Sequence, residues 1–189
     1  LHRNLTHFAS RDAMDIDGMG PAVMSQLIGQ GLVKTPADLY FLTRDQLAGL
    51  ERMGKKSAQN AVEAIDKSRG RGLERLLYAL GIRQVGQKAG KVLAARFGSF
   101  DALAAASEEE LTAIDDVGGV TAAYIRAWLD SPQSQHLIRR LKEAGVSMEA
   151  VEQSAGEQFK GMTFVLTGAL ERFTRDEAAA LIEARGGKA

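Results

Sequence analysis

The sequence predicts a mainly all-α protein in which four short helical units repeat in tandem, followed by a smaller segment that mixes strand and helix. Three observations support this fold class. A short pattern ending in glycine recurs four times. Each occurrence is followed by apolar residues at three- and four-residue steps, which is typical of an amphipathic helix. Strand patterns are scarce before residue 160, so the repeated part is expected to contain helices only.

Each repeat is centred on five residues that read apolar, polar, variable, apolar, glycine. The segments begin at Ile16, Leu50, Ile82 and Ile114, and their closing glycines lie at positions 20, 54, 86 and 118. The spacing between these glycines is 34, 32 and 32 residues. A nearly constant period of this length indicates a repeated structural unit.

Helices are predicted on both sides of each turn. After the second turn, Ala58, Ala61 and Ile65 share one face of a helix. Before the second and fourth turns, Thr43 and Ser107 are suitable N-caps for short helices. Each unit therefore reads as helix, tight turn, helix, and together the four units are expected to form a compact helical domain over residues 1–146.

The end of the chain has a different pattern. Residues 147–158 are polar and lack apolar periodicity, which is typical of a linker. Residues 162–168 read as a buried strand, and residues 175–185 read as an amphipathic helix with Thr174 as its N-cap. The predicted domains are therefore 1–146, a linker at 147–158, and a short α/β segment at 159–189.

Composition limits the classes of function. The chain has 189 residues, 45% of them hydrophobic, with no cysteine and only three histidines, His2, His7 and His136. A disulfide framework and a thiolate metal site are excluded within these residues, and metal-dependent catalysis is not expected. No apolar run approaches the roughly 20 residues of a membrane span, and the first residues lack the layout of a signal peptide. We therefore expect a cytoplasmic protein without a membrane partner.

Charge is unevenly distributed along this neutral chain. Residues 44–96 carry 12 basic and 5 acidic side chains, whereas residues 97–154 carry 4 and 10. A basic segment of this kind can be the electrostatic footprint for a polyanion, although solvated helix faces would give the same count. Charge alone leaves both interpretations open.

The turn chemistry favours the polyanion. Glycine permits a positive φ and a close approach by another backbone, so we place the backbone constraint of each turn at the closing glycine. A helix that starts there presents unsatisfied N–H groups and a partial positive charge, which suit a phosphate oxygen. Phosphate contacts carry no direct sequence information, so non-specific binding to duplex DNA is predicted.

The four turns are not equally suited to DNA. The second and third have flanking cations, whereas Asp17 lies in the first and Asp115 and Asp116 lie in the fourth, where a structural role is about as well supported as DNA contact. The candidate DNA-binding residues are Gly18, Gly20, Arg52, Gly54, Lys55, Lys56, Arg83, Gly86, Lys88, Lys91, Gly118, Gly119 and Thr121.

Apolar-x-Gly-apolar-Gly turns between helices resemble helix-hairpin-helix motifs, which bind the DNA minor groove without sequence preference. Residues 7–20, 50–60 and 79–86 further resemble the C-terminal half of bacterial NAD-dependent DNA ligases. The resemblance implies that residues 159–189 are the opening part of a BRCT domain, and that a four-cysteine zinc finger precedes residue 1. One departure is that Arg52, Gln84 and Asp116 replace the first glycine of the motif.

The same resemblance implies the parent reaction. These ligases are monomers that seal nicks in double-stranded DNA during replication and repair, using NAD, Mg²⁺ and a structural Zn²⁺. They adenylate a lysine in a Lys-x-Asp-Gly motif within another domain of the same chain. That motif does not occur in these 189 residues, so this segment is expected to bind and help encircle DNA but to be inactive alone, with no cofactor of its own.

Two other classes of function stay open at this point. One is a helix-hairpin-helix module from a different DNA-processing assembly, such as a nuclease subunit or a junction-binding protein. The other is a helical protein-interaction module whose turns have no role in DNA binding, which the zero net charge and the acidic fourth turn would favour. Binding to a labelled duplex would separate the second class from the rest.

Overall fold

The structure, a computed structural model, describes residues 1–151, 161–166, 174–184 and 187–189. It divides into two compact units, Leu1–Ala150 and Val151–Ala189. This division falls inside the segment where the sequence predicts a linker, of which residues 152–158 lie outside the described residues.

The first unit is built from helices. In chain order they are α1 (His2–Ala9), α2 (Pro21–Gly29), a 3-10 helix (Pro36–Phe41), α3 (Arg44–Ala48), α4 (Lys55–Ser68), α5 (Leu73–Ala79), α6 (Gln87–Phe97), α7 (Phe100–Ala104), α8 (Glu108–Thr112), α9 (Gly119–Asp130) and α10 (Pro132–Glu143). Apart from one bridge between Ser99 and Glu149, residues 1–150 contain no strand pairing. The prediction that this region is all-helical is confirmed.

Four pairs of helices flank the four glycine turns: α1 with α2, α3 with α4, α5 with α6, and α8 with α9. The N-caps predicted for α3 and α8 are confirmed. Thr43 Oγ1 accepts a hydrogen bond from the N–H of Gln46 at 3.2 Å, and Ser107 Oγ accepts one from the N–H of Glu110 at 3.1 Å. These caps fix where each leading helix begins, and hence where the turn after it lies.

One apolar core runs through the first unit, and the turns are anchored to it. The predicted stripe of Ala58, Ala61 and Ile65 is buried, as are Ile82 and Val85 at the two apolar positions of the third turn. Because burying apolar side chains is the main favourable term in folding, this pattern holds the turn in place while its remaining residues face solvent.

Arginines of the basic segment connect the second pair of repeats to the loop that follows α1. Arg71 donates hydrogen bonds to the carbonyl oxygens of Met14 and Asp15, both at 3.0 Å. Arg75 donates to the carbonyl oxygen of Ala13 at 2.7 Å. A guanidinium group with its fixed fork of donors suits this task, because the carbonyls of a loop have no helical partner.

A half-buried ion pair joins the 3-10 helix to α10. Arg140 donates to the carboxylate of Asp38, which also accepts hydrogen bonds from the backbone N–H groups of Lys34 and Thr35 at 2.8 and 3.0 Å. Burial raises the pKa of Asp38, but these hydrogen bonds outweigh burial, so its pKa lies below the ordinary value of 3.8. The folded chain therefore favours the charged carboxylate.

In the second unit, the helix predicted at residues 175–185 is confirmed as α11 (Arg175–Glu183), and residue 185 lies outside the described residues. Thr174 is its N-cap and forms a capping box with Glu177. The expectation of a buried strand at 162–168 is wrong for residues 162–166, since Val165 is 82% exposed and only Thr163 forms a bridge, with Lys188. Among the described residues of this unit, one helix and one extended segment provide no second layer that could bury residues 162–166, and these residues do not show a BRCT fold.

Candidate nucleic-acid interface

The four glycine turns share one backbone geometry. We name them hairpin 1 (residues 16–20), hairpin 2 (50–54), hairpin 3 (82–86) and hairpin 4 (114–118). In each, the third residue adopts the left-handed region, with φ of 83°, 60°, 68° and 71° at Gly18, Arg52, Gln84 and Asp116. Such values are uncommon outside glycine, so the recurrence shows that the turn demands this conformation whatever residue occupies it.

This finding corrects our placement of the backbone constraint. The closing glycines have φ of −70°, −85°, −89° and −78°, which any residue adopts. No atom of the described residues lies within 4 Å of the position where a Cβ would stand at Gly20, Gly54, Gly86 or Gly118. Neither backbone strain nor internal packing therefore requires glycine there, and the constraint lies two residues earlier.

Each closing glycine is the N-cap of the helix that follows, and none of these four helices has a side-chain cap. The leading helices α3 and α8 differ, because threonine or serine oxygens satisfy N–H groups at their first turns. The hairpin helices α2, α4, α6 and α9 thus present free N–H groups and the positive end of the helix dipole to solvent. Pro21 removes one donor from α2, as expected at a first helical position.

Cations surround hairpin 2 without internal partners. Arg52, Lys55 and Lys56 are all exposed. In the described part of the chain, no carboxylate forms a salt bridge with any of the three. Their charges are therefore available to an external anion near the start of α4.

Two cations at hairpin 3 contact hairpin 4 or the helix that follows it. The guanidinium carbon of Arg83 lies 5.0 Å from the ring centre of Tyr124 on α9. Lys88 Nζ lies 3.3 Å from an oxygen of Asp116, which is the left-handed residue of hairpin 4. These two contacts show that hairpins 3 and 4 are neighbours.

Hairpins 1 and 2 are also neighbours, connected through backbone groups. The side-chain amide of Gln26 on α2 donates to the carbonyl oxygen of Glu51 at 3.2 Å and accepts from its N–H at 2.7 Å. A Cβ at Gly18 would contact Ala61 on α4 at 3.6 Å. These contacts link hairpin 1 with hairpin 2, as those of Lys88 and Arg83 link hairpin 3 with hairpin 4.

The basic segment is only partly an external footprint. Arg71 and Arg75 donate to loop carbonyls, and Arg69 donates to the carbonyl oxygens of Ala144 and Tyr40. These three arginines are occupied inside the fold, so the count of basic side chains overstates the charge that an external polyanion would meet.

The structure places the predicted site residues at or directly after the four hairpins, and all are exposed except the half-buried Thr121. Their role in DNA binding stays a prediction. Sequence reasoning missed Gln26 and Tyr124, which contact hairpins from helices of other repeats. Neither residue belongs to a recognisable pattern, because both contacts depend on how the pairs pack. Among the described residues, no group of three His, Asp or Glu side chains is arranged to hold a metal ion, and no helix has the length and apolar character of a membrane span.

Comparison with known families agrees with the pairing of the turns. Residues 10–67, which contain hairpins 1 and 2, match a family model described as a SAM-like helix-hairpin-helix tandem. Residues 75–138, which contain hairpins 3 and 4, match a model described as a helix-hairpin-helix motif. The first unit is therefore a tandem helix-hairpin-helix region.

The relatives that align along nearly the whole of this chain are bacterial DNA ligases. The chain is 51% identical over 187 residues to a DNA ligase of Trichlorobacter lovleyi. The aligned region covers 99% of this chain and 27% of that protein. It is 49% identical to DNA ligases of Acidobacterium capsulatum and Carboxydothermus hydrogenoformans, covering 99% and 100% of this chain and 28% of each relative. The chain thus spans little more than a quarter of these relatives and corresponds to a helix-hairpin-helix segment of bacterial DNA ligase.

Proposed function

We propose that residues 1–150 bind the phosphate backbone of duplex DNA, without base specificity and through the minor groove, within an NAD-dependent DNA ligase. The observation that carries this proposal is the open space at the four closing glycines. Their φ values are ordinary and no atom of the described residues lies within 4 Å of a Cβ there, so neither backbone strain nor internal packing requires glycine at these four N-cap positions. An external group that approaches the backbone closely gives a reason for glycine.

A phosphate oxygen has the chemistry to fill this space. The free N–H groups at the start of α4 and α6 would donate to it, and the helix dipole favours its charge. Arg52, Lys55 and Lys56 lie beside the first of these helix ends. Backbone N–H groups contact every phosphate in the same way, so such binding would be independent of sequence.

Within a ligase, this segment would hold the duplex on either side of a nick while another domain carries out the chemistry. The parent would use NAD and Mg²⁺ and would carry a structural Zn²⁺ in another domain. The absence of a Lys-x-Asp-Gly motif means that residues 1–189 do not adenylate themselves. Positioning the two ends for in-line attack is a contribution that binding alone can make. Residues 159–189 would form the start of a BRCT domain.

Replacing Gly86 by Val tests the proposal. Valine adopts the extended backbone of Gly86 without strain, so the variant is expected to fold normally while its side chain blocks a phosphate at the start of α6. Gly70→Val is the matched control, because Gly70 is also exposed and surrounded by open space but belongs to no hairpin. Duplex affinity is measured by fluorescence anisotropy, with thermal unfolding as the check on folding.

We expect weaker binding for Gly86→Val and unchanged binding for Gly70→Val. For about 4 to 6 neutralised phosphates, the logarithm of the binding constant should fall with the logarithm of salt concentration with a slope of roughly −4 to −5 on any duplex sequence. A salt-independent interaction, or equal affinities for both glycine variants and wild type, would contradict the proposal and favour a protein-interaction module.

A further inference from the structure

We infer, building on the proposed function, that hairpin 4 supports hairpin 3 instead of holding a phosphate itself. In this arrangement Tyr124 orients Arg83 as the cation of hairpin 3 that contacts phosphate. Asp116 meanwhile holds Lys88 and offsets its charge. Tyr124 is thus a positioning residue for DNA binding.

The contact between Arg83 and Tyr124 suits this role. Arg83 is exposed and Tyr124 is half-buried, with the guanidinium carbon 5.0 Å from the ring centre. A guanidinium group that stacks on an aromatic ring uses its planar face for the cation–π contact. The N–H donors at the edge of the guanidinium group stay free to form two parallel hydrogen bonds with phosphate oxygens. Restricting the side chain before DNA arrives also lowers the entropy lost on binding.

The pair between Lys88 and Asp116 has a different consequence. The side chains of Lys88 and Asp116 are 80% and 48% exposed, and pairs this exposed contribute little to stability. The carboxylate nevertheless stands 3.3 Å from the ammonium group and cancels its charge toward a polyanion. Lys88 therefore offers a phosphate less attraction than its position beside the start of α6 suggests.

Hairpin 4 lacks the features that would make it a phosphate site in its own right. Asp115 and Asp116 are both exposed in the turn, where they repel an anion. The position that holds Lys56 after hairpin 2 and Lys88 after hairpin 3 holds Val120 after hairpin 4, and Val120 is 68% exposed. Its helix end would have to bind phosphate with no cation among residues 114–121 and against two carboxylates.

A double-mutant cycle between Arg83→Ala and Tyr124→Leu tests the inference on the 189-residue chain. Tyr124→Phe keeps the ring and is the conservative control, and Arg139→Ala removes an exposed cation of α10 that belongs to no hairpin and to no helix that follows one. We expect Tyr124→Leu to weaken duplex binding by about two- to fivefold in the wild-type background, as for loss of an exposed cation–π contact. In the Arg83→Ala background the same change should have almost no effect. Tyr124→Phe and Arg139→Ala should bind like wild type.

Salt dependence provides the second measurement. Arg83→Ala should reduce the salt slope by about one unit, and Asp116→Asn should steepen it and tighten binding because Lys88 is then free to act. Equal losses for Tyr124→Leu in both backgrounds, a loss for Tyr124→Phe as large as that for Tyr124→Leu, or weaker binding for Asp116→Asn would overturn the inference. A wild-type chain that binds no duplex would instead refute the proposed function, and a loss confined to the cations of hairpin 2 would leave that function standing and reject this role for hairpin 4.

Discussion

The two halves of the helical unit, residues 10–67 and 75–138, contain the same kind of turn but differ in whether the cations beside it have partners within the fold. In residues 10–67 the basic turn is hairpin 2, and its cations form no salt bridge within the part of the chain that the structure describes. Gln26, on the helix that follows hairpin 1, links the two turns through hydrogen bonds with the backbone of Glu51. In residues 75–138 the basic turn is hairpin 3, and its link to hairpin 4 is made by the cations themselves, through Asp116 and Tyr124. Each half thus pairs one hairpin that has cations in and after the turn with one whose five residues include aspartate and no cation.

Hairpins 2 and 3 each have two lysines and one arginine in or shortly after the turn, yet the charge that they offer to an outside partner differs. A half that joins its turns through neutral amide groups keeps all of its positive charge for an outside partner. A half that joins its turns through an ion pair has less net positive charge for an outside partner, but its contacts also restrict the conformations of the cationic side chains. The first arrangement favours electrostatic attraction, and the second favours a prearranged geometry.

The largest expected effect comes from removing two lysines in each half and comparing the results. Lys55→Ala with Lys56→Ala should weaken duplex binding roughly 10- to 100-fold and reduce the salt slope by about two units, since both charges are free. Lys88→Ala with Lys91→Ala should reduce the slope by only about one unit, because Asp116 already offsets Lys88. Affinity is measured over a salt series. Equal changes in slope would show that the two halves do not differ as proposed.

The next comparison uses the position four residues after each closing glycine, which is buried in every repeat and holds Met24, Ala58, Gly90 and Ala122. At Gly90 a Cβ would stand 2.8 Å from the carbonyl oxygen of Glu74, so α5 approaches α6 closely there. Gly90→Ala should therefore lower the free energy of unfolding by about 1–3 kcal/mol, as overpacking does. Chemical denaturation measures the loss.

Two variants serve as controls for this packing difference. Gly86→Ala, one turn earlier in the same chain segment, meets no atom within 4 Å and should leave stability within about 1 kcal/mol of wild type. Ala58→Gly in the first half should also be destabilising, because Ala58 is buried and fits its site. A Gly90→Ala variant as stable as wild type would mean that α5 shifts at no cost.

The sequence located the four turns because a closing glycine recurs at an almost constant spacing. It did not locate the left-handed residue, because glycine is the usual sequence signal of a positive φ and three of the four turns have Arg52, Gln84 or Asp116 at that position. The sequence also did not predict which turns are neighbours, because Gln26 and Tyr124 link them through contacts that exist only in the packed fold. Local patterns therefore predicted the helical units and supplied the candidate DNA-binding residues, whereas the arrangement of the units required the fold.

Substitutions at the left-handed position of the turn should have smaller effects on stability, and these effects should differ between the two halves. Gly18→Ala in hairpin 1 should lower stability by about 1 kcal/mol, because alanine at a φ of 83° is strained while its Cβ would make only an ordinary contact. Gln84→Gly in hairpin 3 should not lower stability, since relief of strain at a φ of 68° offsets the entropy of glycine in the unfolded chain. Denaturant unfolding of both variants measures this. Comparable losses would mean that the Gln84 side chain, and not the backbone, stabilises the turn.

The smallest expected effect concerns the ion pair between Asp38 and Arg140, which joins the first half to α10 beyond the second. The pKa of Asp38 in the folded chain lies below its ordinary value of 3.8, so an unfolded chain binds a proton there more readily than the folded one. The stability that Asp38 contributes should be fully present above that ordinary value and should be lost as pH falls through the lower folded pKa. Free energies of unfolding for wild type and Asp38→Asn should therefore differ by a constant amount near neutral pH and converge in acid. A difference that persists unchanged at the lowest pH would show that the hydrogen bonds to Lys34 and Thr35, which a neutral side chain can also accept, account for the contribution of Asp38.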